Sequence, residues 1–296
     1  MRRARALAQA KINVWLHVLH QRRDGFHEIL TSFQRIDLAD EVTVRATDSG
    51  SRSLDVTGPH VPTAGLGPVE QNLAYRAAVA FQGRVGWPGG FEIALTKHIP
   101  VGGGLGGGSA DAGAVLRALN TLAPEPLTAQ ELHALAEPLG ADVAFLASQH
   151  PSAIGSGRGE ILIPPTAEMP VADVLLVVPP FAIATVEAYG WLRTTGRYMS
   201  RDVGAATTGF AEDRSWASQD RGNTFESVVE ERFPTIRTIR EQLQAAGATI
   251  ARLSGSGSTV FGLFDGHAIP PRDLGVDALV IPTRTAKKVV PVEVLE

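Results

Sequence analysis

Six of the seven residues from Gly102 to Gly108 are glycine, and helix-forming residues follow them in the stretch PVGGGLGGGSADAG (100–113). Glycine loses more conformational entropy on folding than any other residue, so a run of this density needs a compensating reason. A tight turn between a strand and a helix would need only one or two glycines. The run instead predicts a loop whose main-chain N–H groups closely approach an anion such as phosphate at the N-terminus of a helix.

Two common phosphate-binding motifs do not account for this loop. The dinucleotide pattern G-x-G-x-x-G occurs between Gly102 and Gly107, but Pro100 precedes it, and the region about 20 residues later begins a helix rather than ending a second strand. The P-loop pattern G-x-x-x-x-G-K-[ST] also starts at Gly102, but Gly108 occupies the position of the lysine that binds phosphate. The sequence therefore favours a phosphate site of another type.

The composition excludes several classes of protein. Hydrophobic residues make up 44% of the 296 residues and charged residues 20%, which is typical of a globular chain. The formal net charge of -4 provides no basic surface for nucleic acid, and zero cysteines exclude disulfides and thiolate metal sites. No apolar run reaches the ~20 residues of a membrane span, and the basic N-terminus lacks the apolar segment of a secretory signal. We expect a cytoplasmic protein that binds neither nucleic acid nor a membrane and has no evident obligate protein partner.

The pattern along the chain predicts an α+β fold with two lobes. KINVWLHVLH and FEIALTKHIP are typical of strands, whereas NLAYRAAVAFQGRVG and SADAGAVLRALNTLA have helical spacing. Ser109 is predicted to cap the second of these helices. Further along, the pattern changes to buried strands and longer loops. We therefore expect an N-terminal domain over residues 1–155 and a C-terminal domain over residues 156–296.

The glycine loop resembles the second motif of the GHMP kinases, small-molecule kinases in which this loop wraps the phosphates of ATP. A longer stretch, AQAKINVWLHVLHQRRDGFHEILTSFQRIDLADEV, resembles the N-terminus of one branch of that family, whose alcohol substrate is 4-diphosphocytidyl-2-C-methylerythritol. Further segments follow in the order typical of that branch: NLAYRAA, GADVAFL, GRGEILIP, TVEAYGWL, NTFE and LSGSGSTVFG. The resemblance covers nearly the whole chain. It implies a two-lobed GHMP kinase fold with mixed and antiparallel sheets and an active site between the lobes, with the ATP-binding domain first.

The function that this resemblance implies is ATP-dependent phosphorylation of the 2-hydroxyl of the cytidine substrate, a step in non-mevalonate (MEP) isoprenoid biosynthesis. Two alternatives stay open at this point. Another GHMP kinase, of the homoserine or mevalonate type, would share the loop, although the segment DGFHE suits a cytidine pocket better than a small polar alcohol. A catalytically silent nucleotide-binding regulator would lack Lys11 or Asp142, and both are present.

Asp142 and Lys11 are the candidate catalytic residues. Asp142 is a polar residue in the apolar segment GADVAFL, where the family has its catalytic base, and a turn aspartate is the alternative. Lys11 lies at the start of an apolar strand, where a lysine is unusual unless it is paired. The resemblance implies that Lys11 faces the aspartate and stabilises the developing alkoxide, whereas a surface lysine is the alternative. Asn13 lies two residues on, hence on the same strand face, and is a candidate for binding the substrate.

The resemblance assigns ATP, bound with Mg²⁺, to the glycine loop. The candidate ATP-binding residues are Asn72, Lys97, Pro100, Val101, Gly102, Gly103, Gly104, Leu105, Gly106, Gly107, Gly108, Ser109 and Ala110. Asn72 and Lys97 match family positions near the adenine and the phosphates, and a solvated surface position is an equal alternative for each. Ser109 can contact Mg²⁺ or phosphate. The sequence predicts no metal site built from the protein's own ligands.

Two segments are expected to hold the nucleobase of the alcohol substrate. In DGFHE, the turn dipeptide Asp-Gly presents the next two side chains. The resemblance implies that a nucleobase stacks on Phe26 while His27 bonds the cytosine edge, and a core-facing Phe26 is the alternative. Thr185 and Tyr189 lie four residues apart on one helix face, from which Tyr189 would cover the other side of the base.

Four positions depart from the pattern of that branch. Gln9 and Ala144 stand where proline is commoner, Phe26 where tyrosine is commoner, and Thr224 where aspartate is commoner. None of these changes removes a catalytic group, and Phe26 keeps the aromatic ring.

Overall fold

The computed structural model describes residues 2–164, 169–199, 216, 221–268 and 276–296. Its strands are β1 (Arg2–Gln21), β2 (His27–Thr47), β3 (Arg52–Thr57), β4 (Gly90–Thr96), β5 (Ser152–Ser156), β6 (Ile161–Ile163), β7 (Asp173–Val178), β8 (Ile250–Leu253), β9 (Val260–Phe264), β10 (Leu279–Arg284) and β11 (Glu293–Leu295). Its α-helices are α1 (Leu73–Val85), α2 (Gly107–Leu122), α3 (Ala129–Ala136), α4 (Ala141–Ala147), α5 (Thr185–Thr195), α6 (Glu226–Arg232) and α7 (Pro234–Ala245). The predicted α+β class is confirmed.

The larger sheet is built on the long hairpin of β1 and β2. Its strands run in the order β11-β1-β2-β4-β3, and β2 also pairs with β5, which in turn pairs with β6. All of these pairs are antiparallel except β3 with β4, which is parallel. The register between β1 and β2 shifts between Gln9 and Lys11 and again between Asn13 and Trp15. Such irregularities redirect side chains, and here they flank the two candidate site residues of β1.

The smaller sheet is antiparallel and has the order β10-β7-β9-β8. Residues along β7 are buried alternately in two cores. Val174 and Leu176 pack in the core of the larger sheet, whereas Leu175 and Val177 pack in the core that includes α5, α6 and α7. Because both faces of β7 are covered, this strand carries an unbroken apolar run rather than an alternating pattern.

Asn72 and Ser109 both lie at the N-terminus of a helix, but only Asn72 caps its helix. Asn72 caps α1, since its side chain accepts a hydrogen bond from Ala74 N at 2.9 Å. The predicted cap at Ser109 is wrong, because α2 begins at Gly107 and its N-cap is Gly106, with φ 72°. A left-handed backbone at that position lets the loop enter the helix directly, so Ser109 lies inside the first turn.

The two sheets do not divide the chain at a single point. Residue 155 lies within β5, and β6 and β11 follow it in sequence yet belong to the larger sheet. The division into domains 1–155 and 156–296 therefore stays a prediction. Within the described ranges, no helix has both the length and the apolar character needed to cross a membrane.

Candidate active site

A cavity of about 460 Å³ lies between the two lobes. One wall is formed by β1, the glycine loop, the start of α2 and the start of α4, and the other by α5 and the turn between β8 and β9. Most of the site residues expected from the sequence line this cavity: Lys11, Asn13, Asn72, Lys97, Pro100–Ser109, Asp142, Thr185 and Tyr189. Ala110 does not line it, because its side chain is buried in the core of the larger sheet.

Lys11 and Asp142 form an ion pair on the wall of the cavity. The ammonium of Lys11 lies 3.3 Å from Asp142 Oδ2, and it donates to Asn13 Oδ1 at 2.7 Å and to the Gly104 carbonyl at 3.1 Å. The lysine side chain is 4% exposed, so a surface position for Lys11 is wrong. The carboxylate of Asp142 is 35% exposed and accessible from the cavity.

The main chain around Lys11 and Asp142 holds the two residues close together. Beside the register shift of β1, Lys11 N donates to the Leu105 carbonyl of the glycine loop at 3.0 Å. Asp142 lies in the first turn of α4, where a carboxylate interacts favourably with the helix dipole. The alternative of a turn aspartate does not hold, since Asp142 is helical. The strand, the loop and the helix thus converge on one ion pair.

Part of the glycine run is required by packing within the protein. Gly102, Gly104 and Gly106 have φ of 78°, 78° and 72°, in a region that residues with side chains rarely adopt. A Cβ atom on Gly104 would lie 2.2 Å from the carbonyl oxygen of Ser254 in the turn between β8 and β9. This turn therefore accounts for some of the glycines that the sequence analysis attributed to a ligand.

The rest of the run leaves the start of α2 open. A Cβ atom on Gly108 would meet only Leu73 Cδ1, at 3.8 Å, and no side chain caps the first turn of the helix. The first N–H groups of a helix have no partners within it, so an uncapped N-terminus attracts an anion. This geometry leaves room for the phosphate site that the glycine run predicts, and that site stays a prediction.

Lys97 belongs to a buried cluster of charges. Its ammonium contacts the carboxylates of Asp40 and Asp111, the second at 2.7 Å, and Asp40 also accepts a hydrogen bond from Ile99 N at 2.7 Å. Lys97 is 2% exposed, so a solvated surface position is wrong. Burial raises the pKa of Asp111 to about 8, with a further contribution from the charge of Asp40 and opposition from Lys97. Neither acid is among the site residues expected from the sequence, although Asp111 is the only acidic residue in α2.

The two residues expected to meet the nucleobase lie in different environments. Phe26 lies in the turn between β1 and β2 and is 54% exposed, so a core-facing position is wrong. The guanidinium of Arg158, a cavity residue that the sequence analysis missed, lies 5.0 Å from its ring. His27 is buried and stacks on Tyr189, with 4.4 Å between ring centroids, and its Nε2 has no hydrogen-bond partner in the described part of the chain. Burial lowers the pKa of His27, and nearby basic side chains lower it further.

Neither Phe26 nor His27 lines the cavity in this structure. One ring face of Tyr189 packs on His27, so a base held between Phe26 and Tyr189 stays a prediction. Thr185 is exposed at the start of α5, with its hydroxyl 3.1 Å from that of Ser256. The residues expected to hold the nucleobase are therefore only partly in the cavity, whereas the glycine loop lines it from Gly102 to Gly108.

Thr224, where the resembled branch more often has aspartate, joins the two lobes. Its hydroxyl accepts a hydrogen bond from Val18 N at 3.1 Å, and its N–H donates to the Leu16 carbonyl at 2.8 Å. The adjacent Asn223 donates to the carbonyl of Gly255, which lines the cavity, at 2.8 Å. The segment ties β1 to the turn between β8 and β9, a task that a threonine hydroxyl performs here.

Comparisons with known proteins agree on one family. Residues 72–152 match the GHMP kinases N terminal domain, and residues 208–270 match the GHMP kinases C terminal domain. The chain is 40% identical over 261 residues to the 4-diphosphocytidyl-2-C-methyl-D-erythritol kinase of Desulfotalea psychrophila. The alignment covers 87% of this chain and 84% of that protein. It is 38% identical over 285 residues to the protein of the same name from Pelotomaculum thermopropionicum. That alignment covers 95% of this chain and 97% of that protein.

Solved structures have the same fold. A crystal structure of 4-(cytidine 5'-diphospho)-2C-methyl-D-erythritol kinase matches with a TM-score of 0.71 and 32% identity, covering 95% of this chain and 99% of that one. A homoserine kinase from Cytophaga hutchinsonii also matches with a TM-score of 0.71, but with 17% identity, covering 99% of this chain and 97% of that one. The second likeness concerns the fold alone. Kinases for different alcohols share this architecture, and sequence identity separates them.

Proposed function

The chain belongs to the 4-diphosphocytidyl-2-C-methyl-D-erythritol kinases of the GHMP family, and we propose that it transfers the γ-phosphoryl group of ATP to the 2-hydroxyl of 4-diphosphocytidyl-2-C-methyl-D-erythritol. This is a step of the MEP route to isoprenoid precursors. The observation that carries the proposal is the ion pair of Lys11 and Asp142, which shares one cavity with the uncapped start of α2. The pair supplies a base and a cation where a hydroxyl would meet a phosphate.

The glycine-loop side of the cavity receives ATP. The N–H groups in the first turn of α2 hold the phosphates, and Gly108 leaves room for their close approach. Lys97 is held between the acidic side chains of Asp40 and Asp111, so its contribution is to shape this end of the cavity rather than to offer an unpaired charge to phosphate. Asn72 keeps its side-chain oxygen on the cap of α1 and lines the cavity beside Leu73.

Mg²⁺ enters as the partner of ATP and, when bound, neutralises charge on the phosphates during transfer. The hydroxyl of Ser109, partly exposed in the first turn of α2, is an oxygen donor of the kind this cation prefers. Within the described ranges, no group of three histidine or acidic side chains is placed to hold a metal by itself. Ser109 is therefore the residue of the chain that would help to hold the cation in this proposal.

Asp142 takes the proton of the substrate hydroxyl as its oxygen bonds to the γ-phosphorus, while the bond from that phosphorus to the β,γ-bridging oxygen breaks and ADP leaves. Lys11 stabilises the negative charge that develops on the attacking oxygen. Asn13 orients the lysine, because its Oδ1 accepts from Lys11 Nζ and its Nδ2 donates to the Thr31 hydroxyl at 2.9 Å. With both ends of the amide engaged, a direct contact between Asn13 and substrate stays a prediction. The chain thus supplies positioning and charge, which are the main requirements of phosphoryl transfer.

The cytosine is recognised at the end of the site formed by Phe26, His27 and Tyr189. The Nε2 of His27 is buried and has no hydrogen-bond partner in the described part of the chain, and in this proposal it bonds the edge of the base once the ring of Tyr189 moves aside. The exposed ring of Phe26 is available for stacking. A cytoplasmic location and the absence of an obligate protein partner stay predictions of the sequence.

An ADP-release assay with four alcohols tests the function. The purified protein is given ATP and Mg²⁺ with 4-diphosphocytidyl-2-C-methyl-D-erythritol, its uridine analogue, homoserine or mevalonate in turn. We expect turnover with the cytidine substrate at a kcat/KM well above that for each other alcohol. A higher kcat/KM for homoserine or mevalonate would overturn the assignment of the substrate. The absence of ADP release with all four alcohols would overturn the kinase assignment.

A further inference from the structure

The carbonyl end of α4, the helix that carries Asp142, faces two buried arginines. Arg117 donates from Nη1 to the carbonyl of Leu146, which lies four residues after Asp142 and so one turn further along the helix. Arg35 donates from Nη2 to the carbonyl of Phe145 at 3.0 Å. The last carbonyls of a helix have no partner within it, and a cation at that end is favourable.

Both guanidinium groups are bound by main-chain carbonyls rather than by acids. Within the described residues, each of their hydrogen bonds goes to a carbonyl oxygen. The side chains are buried, and burial lowers the pKa of Arg117 to about 10. A buried cation without an acidic partner is unfavourable unless its hydrogen bonds compensate. The carbonyls that these arginines hold are therefore important to the fold or to the site.

Arg117 links the two elements that carry the catalytic ion pair. Its Nη1 binds the carbonyl of Leu146 on the helix of Asp142, and its Nη2 binds the carbonyl of Leu7 at 2.9 Å. Leu7 lies on β1, four residues before Lys11. Arg117 itself lies on α2, whose first turn forms the phosphate site. One planar side chain thus spans the strand of the lysine, the helix of the aspartate and the helix of the glycine loop.

The contact between α2 and α4 leaves little freedom around this side chain. A Cβ atom on Gly113 would lie 2.4 Å from the Leu146 carbonyl oxygen, so the two helices touch through their backbones at that point. The guanidinium of arginine donates in a rigid fork, whereas the ammonium of lysine is a compact point charge on a flexible stem. The Leu146 carbonyl is therefore fixed by a close backbone contact and by a directional hydrogen bond.

We propose that Arg117 is a positioning residue for phosphoryl transfer, whose two hydrogen bonds set the separation of 3.3 Å between Lys11 Nζ and Asp142 Oδ2. The proposal rests on the proposed function through the roles of those two residues. Arg117 does not line the cavity, so it acts through the backbone that it holds. Misplacement of a catalytic group by about 1 Å can cost roughly 10²-fold in rate.

The test is a double-mutant cycle of Arg117→Met and Asp142→Asn, read by single-turnover kinetics. Methionine keeps the length and apolar contacts of the stem but donates no hydrogen bond. Arg117→Met alone is expected to lower kcat by roughly 10- to 100-fold, with KM for ATP and for the alcohol each within about 2-fold of the unmodified protein. In the Asp142→Asn background, the same change is expected to lower kcat by less than about 2-fold, since a base that is absent cannot be misplaced.

Two control variants separate this effect from loss of stability. Arg2→Met removes another arginine-to-carbonyl hydrogen bond, 2.7 Å from Arg2 Nη1 to the Leu122 carbonyl at the far end of α2, and is expected to leave kcat unchanged. Ile93→Val weakens the same core on β4, away from α4, and is expected to lower the melting temperature but not kcat. If Arg117→Met does not fold, Arg117→Lys takes its place in the cycle.

The outcomes distinguish the two proposals. An equal loss of kcat from the Arg117 variant with and without Asp142, or an unchanged kcat in a folded variant, would overturn the positioning role of Arg117. Near-normal turnover in Asp142→Asn alone would instead overturn the role of Asp142 on which the inference rests.

Discussion

At the scale of single residues, His27 has two properties that support its proposed contact with a base. Its ring is buried against Tyr189, and its Nε2 has no hydrogen-bond partner among the described residues. Because burial lowers its pKa, the imidazole is neutral at pH 7 and presents one donor and one acceptor. Cytosine carries a 4-amino donor where uracil carries a carbonyl acceptor. In the proposed function, a hydrogen bond between this ring and the 4-position of the base would distinguish cytosine from uracil.

Substitutions at Phe26 and His27 are expected to separate affinity from selectivity. Phe26→Ala removes a stacking surface worth about 1–3 kcal/mol, so KM for the cytidine substrate should rise roughly 10-fold while its preference over the uridine analogue persists. His27→Ala should reduce the preference itself, because the group that distinguishes the 4-position is lost. Steady-state kinetics with both substrates in both variants measures KM for the cytidine substrate and its preference in kcat/KM. A preference that survives in His27→Ala would place the selectivity elsewhere.

Removal of the carboxylate of Asp142 is expected to affect chemistry and not folding. Asp142→Asn should lower kcat by roughly 10²- to 10⁴-fold, the usual contribution of a general base, while ATP affinity stays near that of the unmodified protein. Single-turnover ADP release and calorimetric titration with ATP measure the two quantities. Asp55→Asn, an exposed aspartate on β3, is the matched control and should change neither. A kcat within a few-fold of normal in Asp142→Asn would contradict the assignment.

At the scale of elements, the glycine loop contains glycines of two kinds. Gly104 faces the carbonyl of Ser254 across 150 positions of sequence, whereas Gly108 faces open space at the start of α2. No local pattern distinguishes the two kinds. The sequence could therefore predict a phosphate loop from the density of glycine, but the turn that packs against it depends on the tertiary fold.

Alanine substitutions are expected to separate these two kinds of glycine. Gly108→Ala should leave the fold intact and weaken ATP binding roughly 10-fold, since hydrogen bonds to charged groups are worth about 1.5–3 kcal/mol. Gly104→Ala should destabilise the protein by about 2 kcal/mol or more, because its φ is positive and the new Cβ meets a backbone oxygen. Calorimetric titration with ATP and urea unfolding measure the two effects.

Gly83→Ala provides the matched control for these substitutions. Gly83 lies within α1 with nothing near its Cβ position, so alanine should slightly raise stability and leave ATP affinity unchanged. Unchanged ATP affinity in a folded Gly108→Ala protein would mean that the phosphates lie elsewhere.

Other elements show where sequence patterns are informative. The apolar run of β7 predicts a buried strand, and Lys11 within an apolar strand predicts a paired lysine; both hold. β1 is longer than the KINVWLHVLH pattern indicates, since the part before Lys11 buries mainly the small side chains of Ala4, Ala6, Ala8 and Ala10. Alanine and arginine carry little strand signal, so pairing with β2 rather than local preference extends the strand.

At the scale of the whole molecule, the buried cluster of Asp40, Lys97 and Asp111 joins β2, the end of β4 and α2. No sequence pattern relates these three residues, and only the fold reveals that one lysine lies between two acidic side chains. Because the pKa of Asp111 is about 8 in the folded protein against 3.8 for a free carboxyl, this cluster links global stability to pH.

The sign of that linkage predicts a loss of stability toward alkaline pH. Between about pH 4 and pH 8 the unfolded chain releases the Asp111 proton while the folded chain keeps it, so the free energy of unfolding falls as pH rises and is level outside this window. The slope from this group is at most about 1.4 kcal/mol per pH unit. Asp111→Asn should remove the slope and match the neutral side chain in shape. Urea unfolding from pH 4 to 9 measures it, with Asp55→Asn as control, and parallel curves for Asp111→Asn and the unmodified protein would contradict the linkage.

Because β6 and β11 return to the larger sheet, we expect a chain cut at residue 155 to lose the function of both pieces. A fragment ending at residue 155 would lack β11 beside β1, β6 beside β5 and the apolar face of β7 that completes its core. We expect residues 1–155 and 156–296, expressed separately, to be unfolded or aggregated and to regain ATP binding only when produced together. The intact protein should lose secondary structure and tryptophan fluorescence in a single coincident transition during urea unfolding. Two separated transitions would instead mark two independent folding units joined by a passive linker.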